Sequence, residues 1–183
     1  MGTSSFAQDV KYGIKGGLNI ANLGGDDPEG DAKASFHLGG FVTFQLNRNF
    51  EFQPELVYSQ QGTKSKEGDY EEKFKANYLN IPLLFKAKMF GSEHLKAVAG
   101  PQIGILLNSE LSASASTGEG EMDFKKYMTD LDFALAMGLE YDINDRLSFS
   151  ARYNWGLSEI FDQDNVESDA KNSVFQIGIS FTL

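Results

Sequence analysis

Cysteine is absent from the 183 residues, which excludes a disulfide framework and any zinc or iron–sulfur centre held by thiolates. Long apolar runs are absent as well, and none approaches the about 20 residues that a membrane-spanning helix needs. Positive charge is scarce: 16 Lys and Arg stand against 26 Asp and Glu, for a net charge of −10. A chain this acidic has no basic patch for a phosphate backbone, so nucleic acid is not an expected partner. Histidine occurs only twice and proline four times. Against these shortages stand 15 Phe, 7 Tyr, one Trp and 19 Gly, far too many aromatics for a solvated coil. The length suits one domain with a real core.

The dominant pattern is a period of two, recurring in eight segments. Tyr12, Ile14, Leu18 and Ile20 alternate with Lys15 and Asn19, and Phe36, Leu38, Val42 and Phe44 with Ser35, His37, Thr43 and Gln45. Phe52, Pro54, Leu56 and Tyr58 oppose Glu51, Gln53, Glu55 and Ser59, and Leu79, Ile81, Leu83 and Phe85 oppose Tyr78, Asn80, Lys86 and Lys88. The same alternation runs through 95–107, 132–142, 146–155 and 175–183, and every charge falls on the second face. Strict alternation gives each strand one apolar and one polar face. In a soluble barrel the apolar face turns inward; in a membrane barrel it meets lipid and the polar face is enclosed.

The connections favour the membrane. Short turns at Asn47–Asn49, Met89–His94 and Ile143–Asp145 alternate strictly with long loops at 23–34, 60–77, 108–131 and 158–172. That asymmetry belongs to an outer-membrane barrel, with short periplasmic turns and longer outer loops. The loops also hold the whole net charge, through residues such as Asp26, Asp27, Glu29 and Asp31 in the first and Asp162 and Asp164 in the fourth. Tyr12 and Tyr141 fall near the turn side and Tyr58, Tyr153 and Trp155 near the loop side, as two interfacial girdles would. The expected fold is therefore all-β: an eight-stranded antiparallel up-and-down transmembrane barrel over residues 10–183, in the bacterial outer membrane. Residues 1–9 read as a signal-peptide remnant or a disordered N-terminus, and no further domain is expected after the last strand. Two features fit less simply. Pro54, Pro82 and Pro101 each remove a ladder hydrogen bond, so bulges are expected there. Phe124, Tyr127, Met128, Leu131 and Leu135 have helical spacing, which predicts a short helix in the third loop.

Three stretches, Phe52-Gln53-Pro54-Glu55-Leu56-Val57-Tyr58, Tyr78-Leu79-Asn80-Ile81-Pro82-Leu83-Leu84-Phe85-Lys86 and Gly100-Pro101-Gln102-Ile103-Gly104, resemble the PorT-like outer-membrane β-barrel family of Bacteroidetes. The resemblance spans roughly residues 10 to 183 and makes the three prolines features of the family. It implies an eight-stranded outer-membrane barrel and little chemistry, since most of the family has no assigned activity. The founding member is tied to type IX protein secretion, a role that barrel motifs alone do not transfer.

The candidate chemistry is sparse. An eight-stranded barrel is just wide enough for side chains to fill its interior. Here that interior would hold Lys15, Glu51, Glu55, Lys86, Lys88, Lys96, Asp132, Glu140, Asp142, Arg146 and Arg152. Enclosed charges must pair, which predicts a salt-bridged plug with Glu51, Glu55 and Glu140 facing Lys86, Lys96 and Arg152; a proton or ion path is the minor reading. Ser35 and His37 share a face, and with a loop Asp they could form a nucleophilic site of a lipid-modifying enzyme, but no nucleophile motif surrounds them; His94 falls in a turn. The acidic loops carry carboxylates for divalent cations but lack EF-hand spacing. No cofactor and no catalytic or metal-ligating residue is expected. The expected partners are outer-membrane lipid and another outer-membrane or secretion protein. The reading the sequence favours is a non-enzymatic structural or interaction protein with acidic outer loops as its partner surface. A soluble lipocalin-like carrier of an apolar ligand is the alternative, and a lipid-modifying barrel enzyme the third.

Overall fold

The computed structural model describes residues 10–23, 31–61, 63–67, 70–115, 118–123, 131–158 and 172–183. They form β1 (Val10–Leu23), β2 (Asp31–Gln45), β3 (Phe50–Gln61), β4 (Thr63–Glu67), β5 (Tyr70–Lys88), β6 (Leu95–Ala115), β7 (Gly118–Asp123), β8 (Leu131–Asp142), β9 (Leu147–Gly156) and β10 (Asn172–Thr182). Eight of these close an antiparallel barrel in the order β1–β2–β3–β5–β6–β8–β9–β10, with β10 pairing back onto β1. The short β4 and β7 extend the hairpins that leave the barrel, pairing with β5 and β6. Among the described residues no helix is long and apolar enough to cross a membrane; strands of this length cross one by themselves.

The register fixes the barrel's stagger. A circuit through paired residues runs from Ile20 to Phe175, Tyr153, Met137, Ala99, Phe85, Phe52 and Phe44 and re-enters β1 at Val10, ten residues from its start. Strands in such a closed sheet tilt by about 35–45° to the axis. Glycines turn its corners: a Cβ on Gly100 would lie 2.0 Å from the Leu83 carbonyl oxygen, so the two backbones approach this closely only because none is there.

Burial is inverted relative to a water-soluble protein. On β3 the enclosed side chains are Glu51, Gln53, Glu55, Val57, Ser59 and Gln61, while Leu38 and Leu18 are about 60% exposed. A face of exposed Ile, Leu and Phe around the whole barrel is stable against lipid acyl chains and not against water. This orientation overturns the lipocalin-like alternative, which needs the apolar face inside. The lumen is not wholly polar, however: Phe41, Leu84, Val98, Leu106 and Val174 are also buried within it.

Four expectations need correction. Pairing lapses beside all three prolines, between Phe41–Glu55 and Phe44–Phe52, between Pro54–Leu83 and Val57–Asn80, and between Pro82–Gln102 and Phe85–Ala99, yet the register is unchanged across each gap. The missing N–H interrupts the ladder without inserting a residue; the register shift sits at Asn77/Tyr78. The second and third loops are largely strand, with β3 to β7 covering most of 60–77 and 108–123. Of the helical-spacing segment, Leu131 and Leu135 lie in β8, because pairing to β6 and β9 outweighs local spacing; residues 124–130 lie outside the described residues. Arg146 is in an exposed turn, not the lumen.

The three short turns are built for their job. Asn47 Oδ1 accepts from the backbone N–H of Asn49 and Phe50 at 2.9 and 3.0 Å, and Asn144 Oδ1 repeats this with Arg146 and Leu147, at 2.9 Å each. Between β5 and β6, Phe90 (φ 54°) and Gly91 (φ 70°) are both left-handed, the backbone of a primed hairpin turn. Glycine takes this conformation freely, whereas Phe90 is strained in it.

Candidate functional site

Alternation points Lys15 of β1, Glu55 of β3 and Arg152 of β9 into the lumen from three sides, and all three are buried. Lys15 Nζ lies 2.9 Å from Glu55 Oε2 and 3.1 Å from Oε1. Arg152 meets the same carboxylate with Nη1 at 3.1 Å and Nη2 at 3.3 Å. Gln53 Nε2 donates a further bond to Glu55 Oε1 at 2.8 Å and is itself held by Thr43 Oγ1 at 2.6 Å. One carboxylate therefore accepts from two cations and an amide, which satisfies it fully in a low-dielectric interior.

Three further ion pairs lie closer to the turns. Lys86 Nζ meets Glu140 Oε1 at 2.5 Å, and Lys96 Nζ bridges Glu51 and Asp142 at 2.9 Å each. Around them a cavity of about 270 Å³ opens on the turn side, and Lys11, Gln53, His94 and Ser180 contribute to its walls. At its rim Lys88 pairs with the exposed Glu93, whose carboxyl is held below the usual range by the Lys88 hydrogen bond and then by its charge.

Because the level climbs by roughly 1.25 residues per strand, the register places Lys15, Glu55 and Arg152 on one level across the barrel. Gly39, Gly100, Gly138 and Gly178 face inward on that same level, with Pro82 as its eighth member. One level toward the loops stand neutral amides and His37. Asn19, one level farther toward the loops, ties the two levels together: its Nδ2 donates to Ser59 Oγ at 2.9 Å and Gln60 O at 2.8 Å, and its Oδ1 accepts from Gln176 at 2.9 Å and contacts His37 Nδ1 at 2.8 Å. Ser35 Oγ donates to Gln60 O at 2.6 Å. Both amide atoms of buried Asn154 and Nδ2 of buried Asn80 have no hydrogen-bond partner.

The sequence-derived residues thus fall in three places. Lys15, Glu51, Glu55, Lys86, Lys96, Glu140 and Arg152 meet in the lumen. Tyr12, Tyr141, Tyr153 and Trp155 are exposed on the outer face and Tyr58 is half-buried there, against Phe36 at 6.0 Å between ring centroids. Asp26, Asp27, Glu29, Asp162 and Asp164 lie outside the described residues; Asp31 begins β2. Among the described residues no group of three or more His, Asp or Glu is placed to hold a metal ion. Sequence reasoning passed over Gln53, Thr43 and Asn19. Their signal was membership of the polar face, which does not say which uncharged groups will touch an ion.

A closed antiparallel barrel with an apolar exterior and an ion-paired interior defines a transmembrane β-barrel of the bacterial outer membrane. The chain belongs to the family described as outer membrane protein beta-barrel domain, whose profile matches residues 6–162. Its fold is similar to that of Ail, the attachment invasion locus protein of Yersinia pestis, at 12% identity and a TM-score of 0.55, covering 95% of this chain and 97% of that one. It is also similar to Neisserial surface protein A (10% identity, TM-score 0.55, 95% and 97% covered) and to CarO of Acinetobacter baumannii (13%, 0.53, 93% and 97%). At these identities the likeness concerns the fold alone. No curated protein matches the chain by sequence.

Proposed function

We propose that the chain is a non-enzymatic barrel of the PorT-like kind found in Bacteroidetes, which anchors its acidic outer loops in the membrane and presents them to another outer-membrane or secretion protein. The observation that carries this is the commitment of the polar interior. Its charges are bound to one another, and the Ser35 and His37 side chains are spent on structure, with Ser35 on a backbone carbonyl and His37 on Asn19. A hydrolytic or acyl-transfer centre needs that serine and histidine joined to each other and open to substrate. The motifs around Pro54, Pro82 and Pro101 support the narrower family. The acidic loops favour a partner carrying basic groups or bridging divalent cations, and disfavour nucleic acid.

The test is extraction of native outer membranes in mild detergent, followed by pull-down and mass spectrometry. It compares the wild-type chain with one in which Asp26, Asp27, Glu29, Asp31, Asp162 and Asp164 are changed to Asn. A companion at stoichiometric yield that is lost from the neutralised chain supports the reading. A monomer in both cases, or a lipid modification abolished by His37→Gln, overturns it.

A further inference from the structure

We propose that the outer wall of β3, β5 and β6 binds the headgroup of a saccharide-bearing lipid, on a row of three carboxamides at the loop-side edge of the membrane. Gln60, Asn77 and Asn108 stand side by side on the lipid-facing side of these strands. Asn77 Nδ2 donates to Asn108 Oδ1 at 2.7 Å, and Gln60 Nε2 donates to Asn77 Oδ1 in a longer contact of 3.4 Å. The row runs in one direction, so it ends in a donor, Asn108 Nδ2, and an acceptor, Gln60 Oε1. Among the described residues neither of these end atoms has a partner.

The row owes its third member to a departure from regular pairing. From Lys96 to Leu106 the even positions of β6 face the lumen. The register shift at Asn77/Tyr78 leaves Leu107 as an extra residue, and both Leu107 and Asn108 are exposed. Without that residue, alternation would turn position 108 into the lumen. Bulges re-aim side chains in this way beside functional sites.

The row also interrupts the apolar wall in one sector. Gln60 and Asn77 lie five positions loopward of Glu55 and Pro82, members of the level that holds Lys15 and Arg152. At the same height Ile20, Phe133 and Leu157 are exposed on other sides of the barrel. Tyr58 and Leu79, two positions nearer the membrane middle, restore the apolar wall below the row. Carboxamides facing hydrocarbon are costly, so this sector meets a lipid where its polar headgroup begins.

The donor set selects the headgroup. A carboxamide offers donors and an acceptor and carries no charge, which is what neighbouring sugar hydroxyls require. Lys75 follows Asn77 on the same face, but the register sets it opposite Glu110, so the upper edge carries both signs. An uncharged, hydroxyl-rich headgroup fits this row better than a phosphate, which calls for unopposed cations. The apolar wall below receives the acyl chains. The site lies on the barrel wall and does not depend on the loop partner proposed above.

The experiment is native mass spectrometry of the purified full chain, offered equal amounts of a monohexosyl diacylglycerol, phosphatidylglycerol and phosphatidylcholine in mild detergent. Folding is checked by the heat-dependent gel mobility of the barrel. The wild-type chain is expected to retain the hexosyl lipid in preference to both phospholipids. Asn77→Leu combined with Asn108→Leu extends the apolar wall and is expected to lower that retention on the order of tenfold. Asn108→Ala alone is expected to give a smaller drop, and it serves if the double variant does not fold. Ser173→Leu, at the same height on β10, is expected to leave retention unchanged. A methyl hexoside at the lipid's concentration is expected not to displace it, because the free sugar lacks the acyl chains. Folded Asn variants that retain the hexosyl lipid as wild type does overturn the proposal. So do an equal loss in Ser173→Leu, a preference for either phospholipid, and displacement by the free sugar.

Discussion

Glu55 and Arg152 stand 97 positions apart in the chain and meet as a fork on a carboxylate across the barrel axis, at 3.1 and 3.3 Å. With Lys15 on the same oxygens, the contact ties β1, β3 and β9 together through the lumen as well as through the ladder. Arg152→Ala removes one arm and leaves the other charges enclosed. It is expected to cost about 3–5 kcal/mol in urea unfolding from lipid vesicles, followed by Trp155 fluorescence. Replacing Lys15 and Arg152 by Met together with Glu55 by Leu removes every charge at that level. This triple variant is expected to match or exceed wild-type stability, because the desolvation penalty disappears with the attraction.

The corner glycines give a second expectation. A Cβ on Gly100 would sit 2.0 Å from the Leu83 carbonyl oxygen, whereas one on Gly40 would find nothing nearer than 3.5 Å. Gly100→Ala is expected to lose at least about 1–3 kcal/mol, since neither backbone can retreat without breaking the barrel's closure. Gly40→Ala is expected to be neutral or to gain a few tenths of a kcal/mol through the unfolded chain. The fraction of folded, heat-modifiable protein after refolding into vesicles separates the two.

Lipid contact predicts a depth profile along β10. Ile179, 53% exposed near the middle of the strand, would place Arg in hydrocarbon. Ile179→Arg is expected to cost about 2–4 kcal/mol in a bilayer, and Leu183→Arg at the turn-side end about 0–1. Equal costs at the two positions, measured by chemical unfolding from vesicles, would argue against a bilayer around this face.

At the turn-side rim the pH response has a definite sign. Lys88 holds the Glu93 carboxyl below its ordinary value, so the contact is complete above the unfolded carboxylate range and is lost only as the pH falls through the lower, folded value. Carbon-13 NMR of Glu93 is expected to give a midpoint below the usual glutamate range. Lys88→Met is expected to return it to that range. Because Glu93 is fully exposed, global stability is expected to change little across the titration.

The sequence revealed the barrel where its two faces differ. In 50–61 and 172–182 apolar and polar residues alternate, and the strand, its sidedness and its neighbours follow. Over Thr63–Glu67 both alternating sets are polar or charged, and over Tyr70–Lys75 Glu72 interrupts the set that holds Tyr70 and Phe74, so periodicity had little to mark. There the strand exists because its backbone finds partners in β4, β5 and β6. The prolines misled for a related reason. A missing N–H is visible in one residue, but whether the ladder answers by a lapse or by a bulge depends on the strand opposite.

By itself the sequence determined the class of the protein: alternation too strict for a helical chain, loops and turns of opposite length, and charge confined to one face of each of the eight alternating segments. Those are local properties, written in the order of residues. It also determined which charges within the strands would be enclosed, because a side chain's face is set by its parity along the strand; Arg146 escaped because its turn takes it out of the strand. The tertiary structure alone decided which of them touch. Lys15, Glu55 and Arg152 share a level only through a stagger of ten residues around eight strands, and that stagger is a property of the closed circuit, which no single strand contains.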